Sequence, residues 1–249
     1  MILAKLISPA MTLFAAFALL QSASGQVGSE TEHWDWTPSA KHHESIVKVS
    51  TESGSGTGVI VHVFESRPVA KGFEGLCFTA KHVIADDDGK QKIKVSYQNG
   101  KRAKHCKVIL EDEERDIALL WVWVPKNVTA AKIAPNEVTI GEPLELCGLG
   151  GGSKLDMMRH FNSKSESPTD SNLIFASVAL MAGDSGGPVF NSDSQLVGII
   201  SGGWFWFDGG VKSRSGGSVS LTWPARSCNR GILAELMTEA LAGRELASK

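Results

Sequence analysis

Three short stretches of this 249-residue chain carry side chains able to do chemistry together. Gly183-Asp184-Ser185-Gly186-Gly187-Pro188 stands directly before the β-prone pair Val189-Phe190. Glycines on both sides of Ser185 let the backbone turn sharply, so that the hydroxyl points outward while the amides of Gly183 and Ser185 converge on one point. That is a nucleophile beside an oxyanion hole, although the motif taken alone also fits a plain glycine-rich turn. Thr79-Ala80-Lys81-His82-Val83 closes a strand-like run and sets an imidazole at its end, where one ring nitrogen can take the proton of a serine hydroxyl. Asp116 stands at the mouth of the apolar run Ile117-Ala118-Leu119-Leu120, suited to fixing the tautomer of His82 from a semi-buried position. A lone His or Asp in either place is ordinarily structural. Chance does not readily supply all three in the order His, Asp, Ser.

Strands have to position these groups. Ile46 to Val49, Val59 to Phe64, Leu76 to Ala80, Ile93 to Tyr97, Lys107 to Leu110 and Ile117 to Val124 are short β-prone runs between turn formers, with Asn99-Gly100 as a hairpin signal. Pro125 to Asn136 reads as a connector. A second group follows at Val138 to Ile140, Leu144 to Gly148, Leu173 to Val178, Val189-Phe190, Leu196 to Ser201 and Val219 to Trp223. Two groups of about six strands predict two barrels or sandwiches, with His82 and Asp116 in the first, Ser185 in the second and a shared cleft between them. One helix is expected near 230–242, where Ile232, Leu233, Leu236, Met237, Ala240 and Leu241 recur at helical spacing, with Asn229 as its cap and Gly243 near its end.

The remaining signals bound the class. At 42% hydrophobic and 21% charged the composition is globular, and a net charge of −2 offers no overall basic footprint for nucleic acid. Lys5, the apolar run Ala10 to Leu20 and the small residues Ala23-Ser24-Gly25 predict a signal peptide over residues 1–25, with a retained membrane anchor as the alternative, hence an exported protein, periplasmic or extracellular, with no membrane attachment after cleavage. Residues 26–45 read as an extended arm. The four cysteines, Cys77, Cys106, Cys147 and Cys228, allow three fully paired connectivities, among which the sequence does not choose. Asp86-Asp87-Asp88-Gly89 reads as a solvated acidic turn, and His42-His43 and His160 lack partners at metal-ligand spacing. Neither a metal nor a cofactor is expected.

With those motifs in place, the chain resembles a chymotrypsin-like (trypsin-like) serine protease over nearly all of Ile46 to Leu241. The resemblance implies an all-β fold of two six-stranded antiparallel β-barrels with a C-terminal α-helix, the first barrel near 46–124 and the second near 137–226. It further implies Ser185 as nucleophile, His82 as base then acid, Asp116 as its orienting partner, and an oxyanion hole from the amides of Gly183 and Ser185. Ser201-Gly202-Gly203 is similar to the strand with which the family pairs substrate backbone, and Ser201 is expected to lean on Asp116. No cysteine stands directly after His82, and Gly54-Ser55-Gly56-Thr57-Gly58-Val59 looks like the compact bacterial members, which include Deg-type proteases and glutamyl endopeptidases.

Polypeptides are the expected substrates. Where trypsin-like enzymes carry a pocket-floor Asp this chain has Ala179, followed by Leu180, and Ile200 stands where glutamyl endopeptidases carry a His. With Gly203 at the pocket mouth, cleavage after small or medium apolar residues is expected. Trp204-Phe205-Trp206-Phe207 offers aromatic walls for the same cleft. Two rivals stand: a catalytically silent protease-like binding protein, disfavoured because no triad member is missing, and an esterase using the same triad. Ser45 precedes Ile46-Val47 where a zymogen would carry Arg or Lys, so no activating cleavage is expected, and Asp184 should be held by backbone amides or by a basic or hydroxyl side chain.

Overall fold

The computed structural model describes residues 44–69, 71–85, 92–104, 106–150, 159–166, 173–203 and 222–247. The expected signal peptide, nearly all of the arm, the acidic turn at Asp86 to Gly89, and the aromatic run at Trp204 to Phe207 lie outside them. Among the described residues thirteen strands and one long helix follow in order. The first group is β1 (Ile46–Ser50), β2 (Ser55–Val69), β3 (Gly72–Ala80), β4 (Lys94–Ser96), β5 (Arg102–Lys104), β6 (Lys107–Asp112) and β7 (Ile117–Pro125). The second is β8 (Pro143–Gly148), β9 (Arg159–Glu166), β10 (Leu173–Ala179), β11 (Pro188–Asn191), β12 (Leu196–Gly203) and β13 (Thr222–Asn229), followed by α1 (Arg230–Ala247).

The second group closes into a six-stranded barrel in the order β10-β13-β12-β11-β8-β9. The first differs from the expected six strands. It is a seven-stranded antiparallel sheet, β5-β4-β1-β2-β3-β7-β6, curled until the amide of Cys106, just before β6, donates to the carbonyl of Ile93, just before β4. The additional strand, Arg-Ala-Lys at 102–104, is too short and too cationic to show an apolar period, and pairing with β4 alone defines it.

Three further expectations need correcting. Val138 to Ile140 is not a strand: it runs into a turn at Gly141, whose φ is +81°, and Ile140 is 69% exposed. The barrel takes β9 instead, a polar segment without a hydrophobic period that pairs with β8 from Pro143↔Lys164 to Gly148↔Arg159, so backbone hydrogen bonding and not side-chain pattern makes it a strand. The helix passes Gly243 to reach Ala247, because a glycine in open space costs only about 1 kcal/mol of helix stability.

The apolar residues sort into three cores. One fills the first sheet, around Val47, Ile60, Val95, Tyr97 and Leu120, and a smaller one fills the second barrel, around Leu144, Leu146, Val189 and Ile200. The largest lies between the two bodies, where Ile46, Val59, Phe78 and Leu119 of the first meet Leu149, Phe190 and Ile199 of the second. Leu233, Leu236 and Met237 of α1 press into that shared core at the spacing of one helix face. Each buried Leu, Ile or Phe there contributes about 1.5–3 kcal/mol, so the seam is held by apolar contact on both sides.

Candidate active site

β3 and β7 pair without interruption from Gly72↔Pro125 to Ala80↔Ile117. That register sets the residues after β3 opposite the residue before β7. A 3-10 turn over Lys81–Val83 then carries His82, and Asp116 faces it. The Lys81 amide donates to the Asp116 carbonyl at 3.0 Å, and the His82 amide donates to Asp116 Oδ1 at 2.9 Å. The His82 ring meets Asp116 Oδ2 through Nδ1 at 2.7 Å. Asp116 has φ +59°, a left-handed conformation that Asp tolerates better than most side chains, and is only 3% exposed.

Ser201, at the end of β12, completes this arrangement from the other barrel: its hydroxyl donates to Asp116 Oδ2 at 2.6 Å. Burial pushes the Asp116 carboxyl upward. The hydrogen bond and charge of His82, with the bond from Ser201, outweigh that and hold it below the ordinary aspartate value. An ionised Asp116 accepts a hydrogen bond from Nδ1–H of the neutral ring, the tautomer that leaves the Nε2 lone pair free.

The Ser185 turn belongs to the second barrel. Gly183 has φ +102° and Gly186 φ +83°, conformations in which an L side chain is strained. Three amides of the turn are already spent, Asp184 on Met181 O (3.0 Å), Gly186 on Ile200 O (2.7 Å) and Gly187 on Asp184 O (2.9 Å). Among the described residues the amides of Gly183 and Ser185 take no carbonyl, which is the pattern an oxyanion hole requires. Asp184 is 2% exposed and is held by backbone amides, Gly150 N to Oδ1 at 2.7 Å and Met181 N to Oδ2 at 2.8 Å.

The turn is seated directly on the first sheet. A Cβ at Gly186 would stand 2.0 Å from Thr57 O, 2.4 Å from Thr79 Oγ1 and 2.9 Å from Ala80 N, at the very end of β3 where His82 follows. A Cβ at Gly56 would meet Val83 Cγ2 at 2.6 Å and Ser185 O at 2.7 Å, so only Gly56 separates the residue after His82 from Ser185. The structure therefore brings His82, Asp116, Ser201 and the Ser185 turn to one cleft. The Ser185 hydroxyl itself has no hydrogen bond among the described residues.

Thr57 is the site residue that sequence reasoning missed. Its amide donates to Ser185 O (2.8 Å) and its hydroxyl donates to Gly183 O (2.7 Å). The same hydroxyl accepts from Leu149 N (3.0 Å), while the Thr57 carbonyl accepts from Thr79 Oγ1 (2.7 Å). One fully buried threonine thus ties both ends of the Ser185 turn to the sheet that carries His82. Its sequence signal was the flanking pair Gly56 and Gly58, which leaves the backbone free to come this close.

The other predicted positions are more peripheral. β11 pairs with β12 only from Pro188↔Ile199 to Phe190↔Leu196, whereas β13 continues to Gly203↔Ala225. Ser201-Gly202-Gly203 therefore keeps one backbone edge without a strand partner among the described residues. Ala179 ends β10 opposite Thr222, and Leu180, 9% exposed, packs in the second-barrel core with Val189 and Ile200. Cys77, Cys106 and Cys147 are free thiols. Burial pushes all three up, Cys106 to about 11, so none is a thiolate at neutral pH.

A family model described as a trypsin-like peptidase domain matches residues 56–199. Among curated proteins, the chain is 30% identical over 194 residues to a probable periplasmic serine protease, do/HhoA-like, of Haemophilus influenzae, covering 75% of this chain and 37% of that one. It is 31% identical over 153 residues to the periplasmic serine endoprotease DegP of Salmonella typhimurium, covering 58% and 29%. The chain thus spans about a third of the length of these curated relatives. Among solved structures, the HtrA-type protease AlgW with tripeptide superposes with a TM-score of 0.59 at 20% identity, over 81% of this chain and 63% of that one. A serine endoprotease from Yersinia pestis gives 0.56 at 19%, over 82% and 67%. At these identities the two structures show a shared fold.

Proposed function

This chain belongs to the trypsin-like peptidase family, and from that premise we propose that it is an exported serine endopeptidase that hydrolyses peptide bonds through an acyl-enzyme on Ser185. The observation that carries the reading is the joint arrangement of the His82–Asp116–Ser201 hydrogen bonds and the two uncommitted amides of the Ser185 turn. In this mechanism Ser185 Oγ attacks the scissile carbonyl as its proton passes to His82 Nε2. Asp116 keeps the ring oriented and stabilises the imidazolium, and the amides of Gly183 and Ser185 receive the negative oxygen. His82 then returns the proton to the leaving amine. Water, activated by the same nitrogen, releases the acyl group and restores Ser185.

In this reading the substrate backbone lies along Ser201-Gly202-Gly203, and the uncharged Ala179 and Leu180 stand in the sequence where the family forms its specificity pocket, so cleavage falls after small or medium apolar side chains. One methylene more or less in such a pocket changes selectivity by about 1–3 kcal/mol. Export to the periplasm is supported by the predicted signal peptide and by the periplasmic relatives. The enzyme needs no activating cleavage. Asp184 is already satisfied by Gly150 and Met181, and β1, with Ile46 and Val47 fully buried, is paired to β2 and β4 on its two sides.

The test is a fluorophosphonate label followed by a peptide library. Labelling of Ser185 with cleavage after apolar residues is expected. An intact chain that takes no label identifies a binding protein, label with ester turnover alone identifies an esterase, and preferred cleavage after Arg, Lys or Glu refutes the pocket assignment.

A further inference from the structure

The outer face of the first sheet carries charge that the proposed chemistry does not use. Strand pairing aligns two rows across it. Thr57 of β2 stands opposite Lys48 of β1, which stands opposite Ser96 of β4 and then Arg102 of β5. Beside that row run Ser55, Ser50, Lys94 and Lys104. Directly opposed residues in an antiparallel sheet point to the same face, and the intervening Val47, Val49, Val95 and Ala103 are all buried on the other.

This face is covered at one end and open at the other. At Thr57 the second barrel covers it, through the bonds to Ser185 and Gly183. From Ser55 outward it opens as a shallow groove lined by Ser50, Lys48, Lys94 and Arg102, continued by Lys104 and Lys92. Among the described residues no carboxylate forms an ion pair with any of these cations. In a chain of net charge −2, five unpaired cations in one groove are a strong local field. Strands about 4.8 Å apart make the groove from Ser55 to β5 about 14 Å long, the span of four or five residues of extended polypeptide.

We propose that this groove is an exosite that holds an acidic segment of the polypeptide substrate a few residues from the scissile bond, on the grounds of its continuity with the Ser185 turn and of five cations that form no ion pair among the described residues. The assignment rests on the serine endopeptidase reading. Its carboxylates would pair with Lys48, Lys94 and Arg102, while the serines between them offer hydroxyls to the backbone. Such a site raises the rate at which acidic stretches are captured and presented, and it weakens as salt screens the charges.

The experiment compares one cleavable apolar sequence in three forms, flanked by four Ser, by four Asp placed about three residues after the bond, or by four Asp placed about three residues before it. One acidic form is expected to show about tenfold higher kcat/KM than the Ser form at low salt, with most of the gain lost above about 0.5 M salt. The gain should also be lost in Lys94→Ser/Arg102→Ser, two exposed positions where loss of folding is not expected and is checked by circular dichroism. Equal cleavage of all three forms, or a gain that survives in the variant, overturns the exosite. So does variant-sensitive binding to phosphatidylglycerol vesicles without any gain on acidic peptides. Fluorophosphonate labelling of the same preparations separates the two readings: labelled enzyme that ignores the acidic flank refutes only the exosite, whereas unlabelled enzyme that cleaves none of the peptides refutes both.

Discussion

The two halves of the molecule hold their parts of the cleft by different means. In the first sheet, His82 and Asp116 project from the ends of two strands paired residue for residue over nine positions, so their separation follows from β-ladder geometry. In the second barrel, Ser185 lies in a turn with two glycines at positive φ, and that turn takes its shape from contacts beyond itself. Ile200, Met181 and Gly150 of its own barrel supply some of them, and Thr57 supplies two hydrogen bonds across the seam. The base is therefore placed by regular structure and the nucleophile by a clamp. Lesions in the first half should spoil protonation chemistry while leaving the fold intact, and lesions around the clamp should couple activity to the union of the two bodies.

The largest effect should come from Ser185→Ala, which is expected to lower kcat by several powers of ten while thermal unfolding stays within a degree or two. An unchanged turnover would end the acyl-enzyme reading. Asp116→Asn follows on the other side of the comparison, with a loss of about 10³–10⁴ in kcat because the ring no longer receives an acceptor at Nδ1. If that variant keeps its activity, the ladder-held pair is structural only.

The clamp is tested by Thr57→Val. This substitution keeps the shape, leaves Gly183 O and Leu149 N without their hydroxyl partner, and should cost about 1–3 kcal/mol of stability, with kcat falling about tenfold or more. Labelling by a fluorophosphonate should slow in parallel, since the amides that bind its oxygen belong to the same turn. A normal labelling rate in a destabilised Thr57→Val would show that the turn holds its shape without the seam.

A smaller effect concerns the pH dependence of stability through Asp116. Because the folded Asp116 carboxyl titrates below its unfolded value, its contribution to stability is complete above about pH 4 and is lost as pH falls through the depressed folded value. In that window the unfolded chain binds more protons, so stability rises with pH. Asp116→Asn should flatten that part of the acid limb in urea titrations. An unaltered slope would show that His82 and Ser201 do not stabilise the ionised form.

Much of this arrangement was legible in the chain itself. Continuous apolar runs marked Ile117 to Val124 and Leu196 to Ile200 because a strand buried on both faces carries apolar residues at nearly every position, and glycines marked the Ser185 turn because they tolerate its backbone. The order of His82, Asp116 and Ser185 pointed to the family for the same local reason. Where local pattern was lacking, the reading failed. β9 is polar and exists through its hydrogen bonds to β8, and Val138 to Ile140 is apolar but ends in a turn. Tertiary structure alone decided which groups hold Asp184, why Thr57 matters and how Lys48, Lys94 and Arg102 come to share one groove. Residues so far apart in sequence have no local pattern linking them; pairing register brings them to one face, and register is a property of the folded sheet.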